Sequence, residues 1–222
     1  MNDAGCLKGS ASLLAAVALL LTSGASQATK ESGTVVSLRG GVLERLEGGN
    51  WKNLSTGGKV ATGERLRTSK EAVAVIEFPG VGRFVMGPAA EIEMGRAPKD
   101  FTTRMNRGAL WLQSSLPPGG RAAISTPVAI AGIRGTAFSM VFGADGQSVC
   151  ACTCTGTIEV ASPDGKTLAV PRGEFVAIAP GESVPAAAQP SAPVLAQGGT
   201  VFDFCLDCHV LGGKGKLKPN WR

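Results

Sequence analysis

The 222-residue chain has little of what catalytic sites are usually built from. It contains one histidine, His209, and no tyrosine. No serine, threonine or cysteine stands in a recognisable nucleophile–base arrangement, and no two carboxylates share a spacing that suits acid–base chemistry. We therefore expect a protein that is not an enzyme, and a hydrolase in particular is a poor interpretation.

Long helical patterns are also missing. After the first thirty residues, no apolar spacing of i, i+3, i+4 is sustained beyond about ten residues, which excludes helical architectures. Glycine is abundant instead, with 31 residues, and short runs of Val, Ile and Thr recur between glycine and proline. This pattern predicts many short strands joined by tight turns, and hence an all-β fold.

The N-terminus has the features of an export signal. Lys8 precedes an apolar run from Ala11 to Leu21, and small residues follow as far as Ala28. This run is shorter than the about 20 apolar residues that a bilayer span needs. We expect a signal peptide over 1–28 that is cleaved after Ala28. The mature chain would then be periplasmic or secreted, with no transmembrane span.

Period-two alternation predicts individual strands. Ala72 to Phe78 alternates so that Ala74 and Ile76 face a core, and Gly82 to Met86 forms its partner in a meander. By contrast, Arg96 to Arg107 is polar and irregular, which predicts a loop with one short helical turn.

The composition changes near the C-terminus. Pro180 to Gly199 is rich in Ala, Pro, Ser and Gln and has almost no charge. Such a segment buries too little apolar surface to fold, so we expect a semi-extended linker over 180–200. It would join a β domain over 33–179 to a flexible tail over 201–222.

Several short motifs occur in order within the β domain. They are the Trp51-x-x-Leu54-x-x-Gly57 turn, Thr62 to Thr68, Gly87-Pro88, Gly108-x-Leu110-Trp111, Ser125-Thr126-Pro127 and Ile133 to Phe138. This order resembles the FecR domain family, and its most specific part is Thr-Pro followed by Arg-Gly-Thr-x-Phe. The resemblance implies an all-β, partly solenoidal meander of short strands that acts in the cell envelope.

The chain departs from the plan of the best-known FecR proteins, which regulate ferric citrate uptake. There, a cytoplasmic segment binds a sigma factor, and a membrane helix joins it to the periplasmic domain. No such segment precedes the leader here, so we do not expect sigma-factor signalling or iron sensing to carry over. The resemblance then implies an envelope binding or assembly module.

The Arg134-Gly135-Thr136 stretch is interpreted as a structural corner and not as a ligand contact. Gly135 can supply a backbone conformation that other residues avoid. The Thr136 hydroxyl can hydrogen-bond nearby backbone. We assign the stretch no catalytic role.

Five cysteines remain once Cys6 is lost with the leader, an odd number that leaves at least one thiol without an intrachain partner. Cys150, Cys152 and Cys154 lie two apart on a predicted strand, which places them on one face. Neighbours at that spacing are about 6.5 to 7 Å apart, marginal for a mutual disulfide. They suit a shared metal, pairing with cysteines elsewhere, or packing as small buried thiols.

The tail contains Cys205-Leu206-Asp207-Cys208-His209. In c-type haem attachment two thiols form thioethers to the haem vinyl groups and the adjacent histidine ligates the iron, so the motif predicts haem c on Cys205, Cys208 and His209 and a role in electron transfer. The second axial ligand would come from elsewhere in the chain, and the candidates are Met86, Met94, Met105 and Met140.

Two alternatives remain open for these cysteines. In one, Cys205, Cys208 and His209 join Cys150, Cys152 and Cys154 in a zinc or copper(I) site. In the other, the thiols form disulfides or a redox-active pair and no cofactor is bound. Either alternative describes a structural or signal-sensing interaction protein that carries no haem.

Basic residues follow the histidine without any acid among them, namely Lys214, Lys216, Lys218 and Arg222. They form either a solvated surface or a contact for an acidic partner. The expected partners are an envelope protein or a redox protein. Nucleic acid is not expected, because the chain is exported.

Overall fold

The computed structural model describes residues 32–97, 99–133, 135–143, 149–198, 202–210, 213 and 215–221. The predicted signal peptide over 1–28 lies outside the described residues, as do Arg134, Lys214 and Arg222. No helix in the described part of the chain is both long and apolar enough to cross a membrane.

Strands dominate the described residues, and the all-β fold class is confirmed. The elements are β1 (Ser32–Arg39), β2 (Leu43–Glu47), β3 (Asn50–Asn53), β4 (Lys59–Ala61), β5 (Arg65–Thr68), β6 (Val73–Phe78), β7 (Gly82–Met86), β8 (Glu91–Glu93), β9 (Asp100–Ser114), β10 (Arg121–Ser125), β11 (Ile130–Ile133), β12 (Ala137–Phe142), β13 (Val149–Thr155), β14 (Thr157–Ala161), β15 (Thr167–Pro171), β16 (Glu174–Ile178), β17 (Gln189–Pro190) and α1 (Ala192–Ala196).

The strands form two layers that share β9, so that together they make one continuous 17-stranded sheet. Sheet A has the order β4-β1-β6-β7-β9-β12-β13-β16-β17. Sheet B has the order β3-β2-β5-β8-β9-β10-β11-β14-β15. These pairings are antiparallel except that of β9 with β10, which is parallel.

Gly108 lies where β9 passes from sheet B to sheet A. Residues up to Arg107 pair in sheet B, and those from Gly108 onward pair in sheet A. Gly108 has a φ of +90°, and a Cβ there would lie 2.4 Å from the Cα of Ala90. Glycine is therefore required both by the backbone conformation and by the close approach of the neighbouring chain.

The segment 96–107, predicted as a loop with a helical turn, is instead mostly strand from Asp100 onward. Phe101, Thr103 and Met105 are fully buried and alternate with exposed polar residues. The period of two was present in the sequence. It was obscured because the middle inward residue is a threonine and because sheet B is solvated on its outer face.

The main core lies between the two sheets. Ala74 and Ile76 are fully buried in it, as the alternation of β6 predicts. Phe78, Phe84 and Phe101 form its aromatic centre, with ring centroids 5.2 to 6.0 Å apart in tilted or edge-on arrangements. These rings come from both sheets, so they join the two layers.

Alternating charges cross the outer face of sheet B. Glu44, Arg67, Glu91 and Arg107 are neighbours on successive strands. The Arg67 Nε lies 2.6 Å from a Glu44 carboxylate oxygen, and its guanidinium lies 4.3 Å from the ring centre of Trp51. Each exposed pair adds little stability by itself. The row keeps this face polar and fixes which face of the strands is outward.

The segment 180–200 differs from the semi-extended linker that its composition predicts. β17 pairs with β16, and the Ser191 N–H donates to the carbonyl of Gly173 at 2.8 Å. Helix α1 follows, and its Leu195 is fully buried. The average composition of the segment concealed its apolar contacts: Leu195 is buried against sheet A, and Val184 and Ala188 pack against the main core.

We predict that Phe84→Ala lowers the free energy of unfolding by about 3 to 5 kcal/mol, because it opens a cavity at the centre of the main core. Val42→Ala removes an apolar side chain that is 42% exposed, and should change it by no more than about 0.5 kcal/mol. Denaturant unfolding of both variants measures the difference. Equal losses would show that Phe84 does not join the sheets.

Candidate functional site

A row of buried side chains crosses the outer face of sheet A, on the side away from the main core. Val75, Val85 and Trp111 are direct neighbours on β6, β7 and β9. The row continues through Ser139 on β12 to Cys152 on β13. We call these five residues the outer row. Each of them is less than 9% exposed, although the row lies outside the sandwich.

The C-terminal segment covers the outer row. Its buried residues form a second hydrophobic cluster with Val75, Val85, Trp111 and Cys152, and they are Leu195, Phe202, Phe204, Cys205, Cys208 and Trp221. The domain therefore has a third layer, made of α1 and the residues after it. We call residues 202–221 the tail.

Local hydrogen bonds shape the tail. The Cys205 N–H donates to the Phe202 carbonyl at 2.8 Å, and the His209 N–H donates to the Cys205 carbonyl at 3.1 Å. A bridge between His209 and Leu217 then returns the chain toward the sheet. Arg172 lies 5.4 Å from the ring centre of Trp221, which links the end of the tail to the loop after β15.

The fold brings strand cysteines and tail cysteines together. Cys152, Cys154, Cys205 and Cys208 are all 0% exposed. The Cys154 side chain is in hydrogen-bond contact with both Cys205 and Cys208. Cys152 and Cys154 point to the same face of β13, as their spacing predicts. The side chain of Cys150 lies outside the described residues.

The hydroxyl of Ser139 completes the cysteine site, with its Oγ 2.5 Å from the Cys205 Sγ. Sequence reasoning missed both Ser139 and Trp111. The one local sign of a role for Ser139 is its place between apolar residues on β12. That it lies beside the cysteines follows from the pairing of β12 with β13, which the local sequence does not show.

The three contacting thiols, Cys154, Cys205 and Cys208, differ in the direction of their pKa shifts. Hydrogen bonds with Cys205, and then with Cys208, hold the pKa of Cys154 well below its usual range. Burial is the largest cause that raises the pKa of Cys205, followed by its contact with Cys154. Contact with Cys154 also raises the pKa of Cys208. Cys154 therefore accepts the S–H groups of the two tail thiols.

His209 acts as an internal anchor in this structure. It is fully buried, and its Nε2 lies 3.2 Å from the carbonyl oxygen of Leu195, to which it donates. Its Nδ1 has no hydrogen-bond partner within the described part of the chain. The histidine thus ties the tail to helix α1.

This arrangement does not fit a c-type haem. Cys205 and Cys208 are sealed against Cys154 and Ser139, and the histidine Nε2 is already bonded to backbone. A macrocycle attached to these thiols would have to displace the tail from the outer row. The four candidate methionines, Met86, Met94, Met105 and Met140, all lie in the main core.

Zinc and copper are not favoured by the geometry either. Thiol groups are chemically suitable ligands for soft metals. Among the residues that the structure describes, however, no group of three or more His, Cys, Asp or Glu side chains is placed to hold a metal ion. What the site provides is close contact between thiols.

The corner before β12 has the conformation expected of it. Gly135 has a φ of +65°. Thr136 is buried, and its side chain limits the space at Gly156, where a Cβ would lie 2.3 Å from the Thr136 Cγ2. The predicted side-chain hydrogen bond is absent among the described atoms, since Thr136 Oγ1 has no partner.

We predict that Asp207→Asn raises the thermal midpoint at pH 7. Burial, with the nearby Cys154 charge second, raises the pKa of Asp207 in the folded state. Ionisation therefore opposes folding, and this cost is absent below the unfolded pKa of about 3.9 and grows as the pH rises above it. The gain from the substitution should disappear near pH 3.

Asp164→Asn is the control, for which we expect the opposite change in the thermal midpoint. The Ser162 hydroxyl donates to the Asp164 carboxylate and lowers its pKa. This stabilising contribution is present at neutral pH and is lost as the pH falls. The control should lower the midpoint at pH 7, and a gain in both variants would contradict the assigned burial of Asp207.

Comparison with known proteins places this geometry in context. Residues 64–162 match the FecR family, described as FecR protein. A crystal structure of a proposed anti-sigma factor from Parabacteroides distasonis is similar, with a TM-score of 0.51, 11% identity, and coverage of 61% of this chain and 64% of that one. A likeness at this identity shows the fold alone, and this chain spans less than two thirds of that structure.

A second structure of a proposed anti-sigma factor from the same organism has a TM-score of 0.47 at 12% identity, with 56% of this chain and 60% of that chain covered. At that score it carries no argument. No curated protein matches the chain.

Proposed function

Because the chain carries a FecR-type domain, we propose that it is an exported binding or assembly module of the cell envelope, acting in signal sensing or regulation and not in catalysis. The FecR match is the observation that carries this proposal. The P. distasonis protein with a similar fold is itself described as a proposed anti-sigma factor, which is consistent with a regulatory role.

The chemistry of the site supports a structural role for the tail. Its thiols are sealed between the tail and sheet A, where a soluble substrate has no access. The buried histidine is committed to a backbone carbonyl. Electron transfer through a haem on Cys205 and Cys208 is therefore no longer the interpretation we favour.

The outer face of sheet B offers a surface for binding. It carries a shallow depression between β9, β10, β11 and β14, with Ile130 as an exposed apolar residue at 49%. Asp100, Arg121 and Glu159 also line it. A shallow strand surface that combines an exposed apolar residue with charged side chains is typical of protein contacts more than of small-molecule sites.

Deletion of the gene tests the regulatory role. If the protein senses or regulates, the deletion changes transcription of a defined set of envelope genes, and the wild-type gene restores it, because a regulator acts through its targets. RNA sequencing of the deletion and complemented strains measures this. The Ile130→Asp variant should fail to restore the pattern, whereas Val42→Asp, at another exposed position, should restore it. An unchanged transcriptome would refute the regulatory role.

Producing the protein together with a cytochrome maturation system tests whether haem can be attached to Cys205 and Cys208. We predict no covalent haem on the purified chain, because its attachment cysteines are sealed in the tail cluster, while a c-type cytochrome made in parallel stains normally. A haem-staining gel and an absorption spectrum provide the measurement. Haem that is attached to wild type and lost in Cys208→Ser would reinstate electron transfer.

A further inference from the structure

Three thiols in this protein contact one another across two distant parts of the chain. Cys154 belongs to β13, whereas Cys205 and Cys208 belong to the tail. Cys154 is in hydrogen-bond contact with both tail thiols, and the contact with Cys205 has the larger effect on it. In the structure all three are free thiols.

The surroundings favour a bond between the strand and the tail over one within the tail. Cys205 contacts both Cys154 on β13 and the Ser139 hydroxyl on β12. Its backbone N–H and carbonyl are held by Phe202 and His209, and its side chain contacts groups on β12 and β13. The tail turn is thereby arranged to present Cys205 to the strand.

We propose that Cys154 and Cys205 form a disulfide that fastens the tail over the outer row of sheet A, with Cys208 as the neighbouring thiol that can reopen it. The proposal rests on the export proposed above, because disulfides persist in oxidising compartments. Its test uses purified protein, so that it can fail while the export and the regulatory role stand.

The chemistry is a thiol–disulfide exchange. While the tail is off sheet A and Cys154 is open to solvent, the Cys154 thiolate attacks a sulfur of a disulfide oxidant such as oxidised glutathione. Cys205 then attacks the resulting mixed disulfide as the tail packs on the sheet. The protein loses two thiol protons and two electrons, and the oxidant becomes two thiols. The bond can then be opened by a rearrangement. Cys208 attacks the Cys205 sulfur, which releases the Cys154 thiolate and forms a disulfide within the tail, without a further oxidant.

The bond would decide whether the outer row is covered. Val85 and Trp111 are buried by the tail and not by the main core. With the disulfide formed, the tail is held on them covalently. Once the tail is released, the apolar side chains of the outer row become exposed to solvent. The segment that covers them is the tail of the same chain.

A non-reducing peptide map of the mature protein tests the bond directly. The protein is oxidised with glutathione, its remaining thiols are alkylated, and it is digested with trypsin. Cys150, Cys152 and Cys154 fall in peptide 135–166, and Cys205 and Cys208 fall in peptide 173–214. We expect the two peptides to appear as one species, with a mass two hydrogens below their sum, which separates on reduction.

Single variants assign the sulfurs. Cys154→Ser and Cys205→Ser should lose the linked species. Cys152→Ser, on the same face of the same strand, and Cys208→Ser should retain it. Circular dichroism confirms that each variant folds, and fragmentation of the linked wild-type peptides in the mass spectrometer assigns the two sulfurs if one does not.

Three results would overturn the proposal. The first is a disulfide confined to peptide 173–214 in the wild type. The second is a link that survives Cys154→Ser but is lost in Cys152→Ser. The third is a full set of alkylated thiols in the oxidised wild type, and stoichiometric zinc or copper found with it would establish the metal site instead.

Hydrogen exchange tests the fastening itself. In the oxidised protein the backbone amides of residues 202–210 should exchange more slowly than in the reduced protein, and the oxidised Cys152→Ser control should match the oxidised wild type. Equal exchange in both redox states would show that the bond does not hold the tail.

Discussion

The sharing of β9 between two sheets is the constraint on which the rest of the structure depends. One strand of 15 residues pairs in sheet B over its first half and in sheet A over its second. It can do so because Gly108 accepts a positive φ and has no Cβ to meet Ala90. The two layers are therefore held at a fixed offset, and the aromatic core fills the space between them.

The same strand also creates the surface that the tail covers. Its inward residues, Leu110 and Leu112, join the main core, while Trp111 points the opposite way and becomes the centre of the outer row. A tryptophan on an outer face leaves a large apolar area exposed to water unless another element packs on it. The tail meets that need, and its cysteines are buried as a consequence.

Burial changes what those cysteines can do. The motif Cys205-x-x-Cys208-His209 is suited to haem attachment when it lies in an open segment, but here its thiols face other thiols and its histidine faces a carbonyl. The same residues thus support a different chemistry, that of thiols in contact. A sequence motif specifies which reactive groups are present, and the structure around them determines which reactions are sterically possible.

The amino-acid sequence by itself determined the all-β class, most of the strands and turns, the likeness to FecR domains, and the common face of Cys152 and Cys154. These follow from local rules, because side-chain alternation and turn conformation depend on a few neighbouring residues. The prediction failed for 96–107, where the inward positions were not all apolar, and for 180–200, where composition concealed a docked helix.

Only the tertiary structure decided that the tail packs on sheet A and that Cys205 meets Cys154. The two cysteines are about fifty residues apart, and their meeting depends on the register of β12, β13 and β16 and on an apolar row assembled from five strands. No local pattern encodes such a row, since each strand contributes one residue to it. The site exists because the pairing of these strands places the five residues side by side.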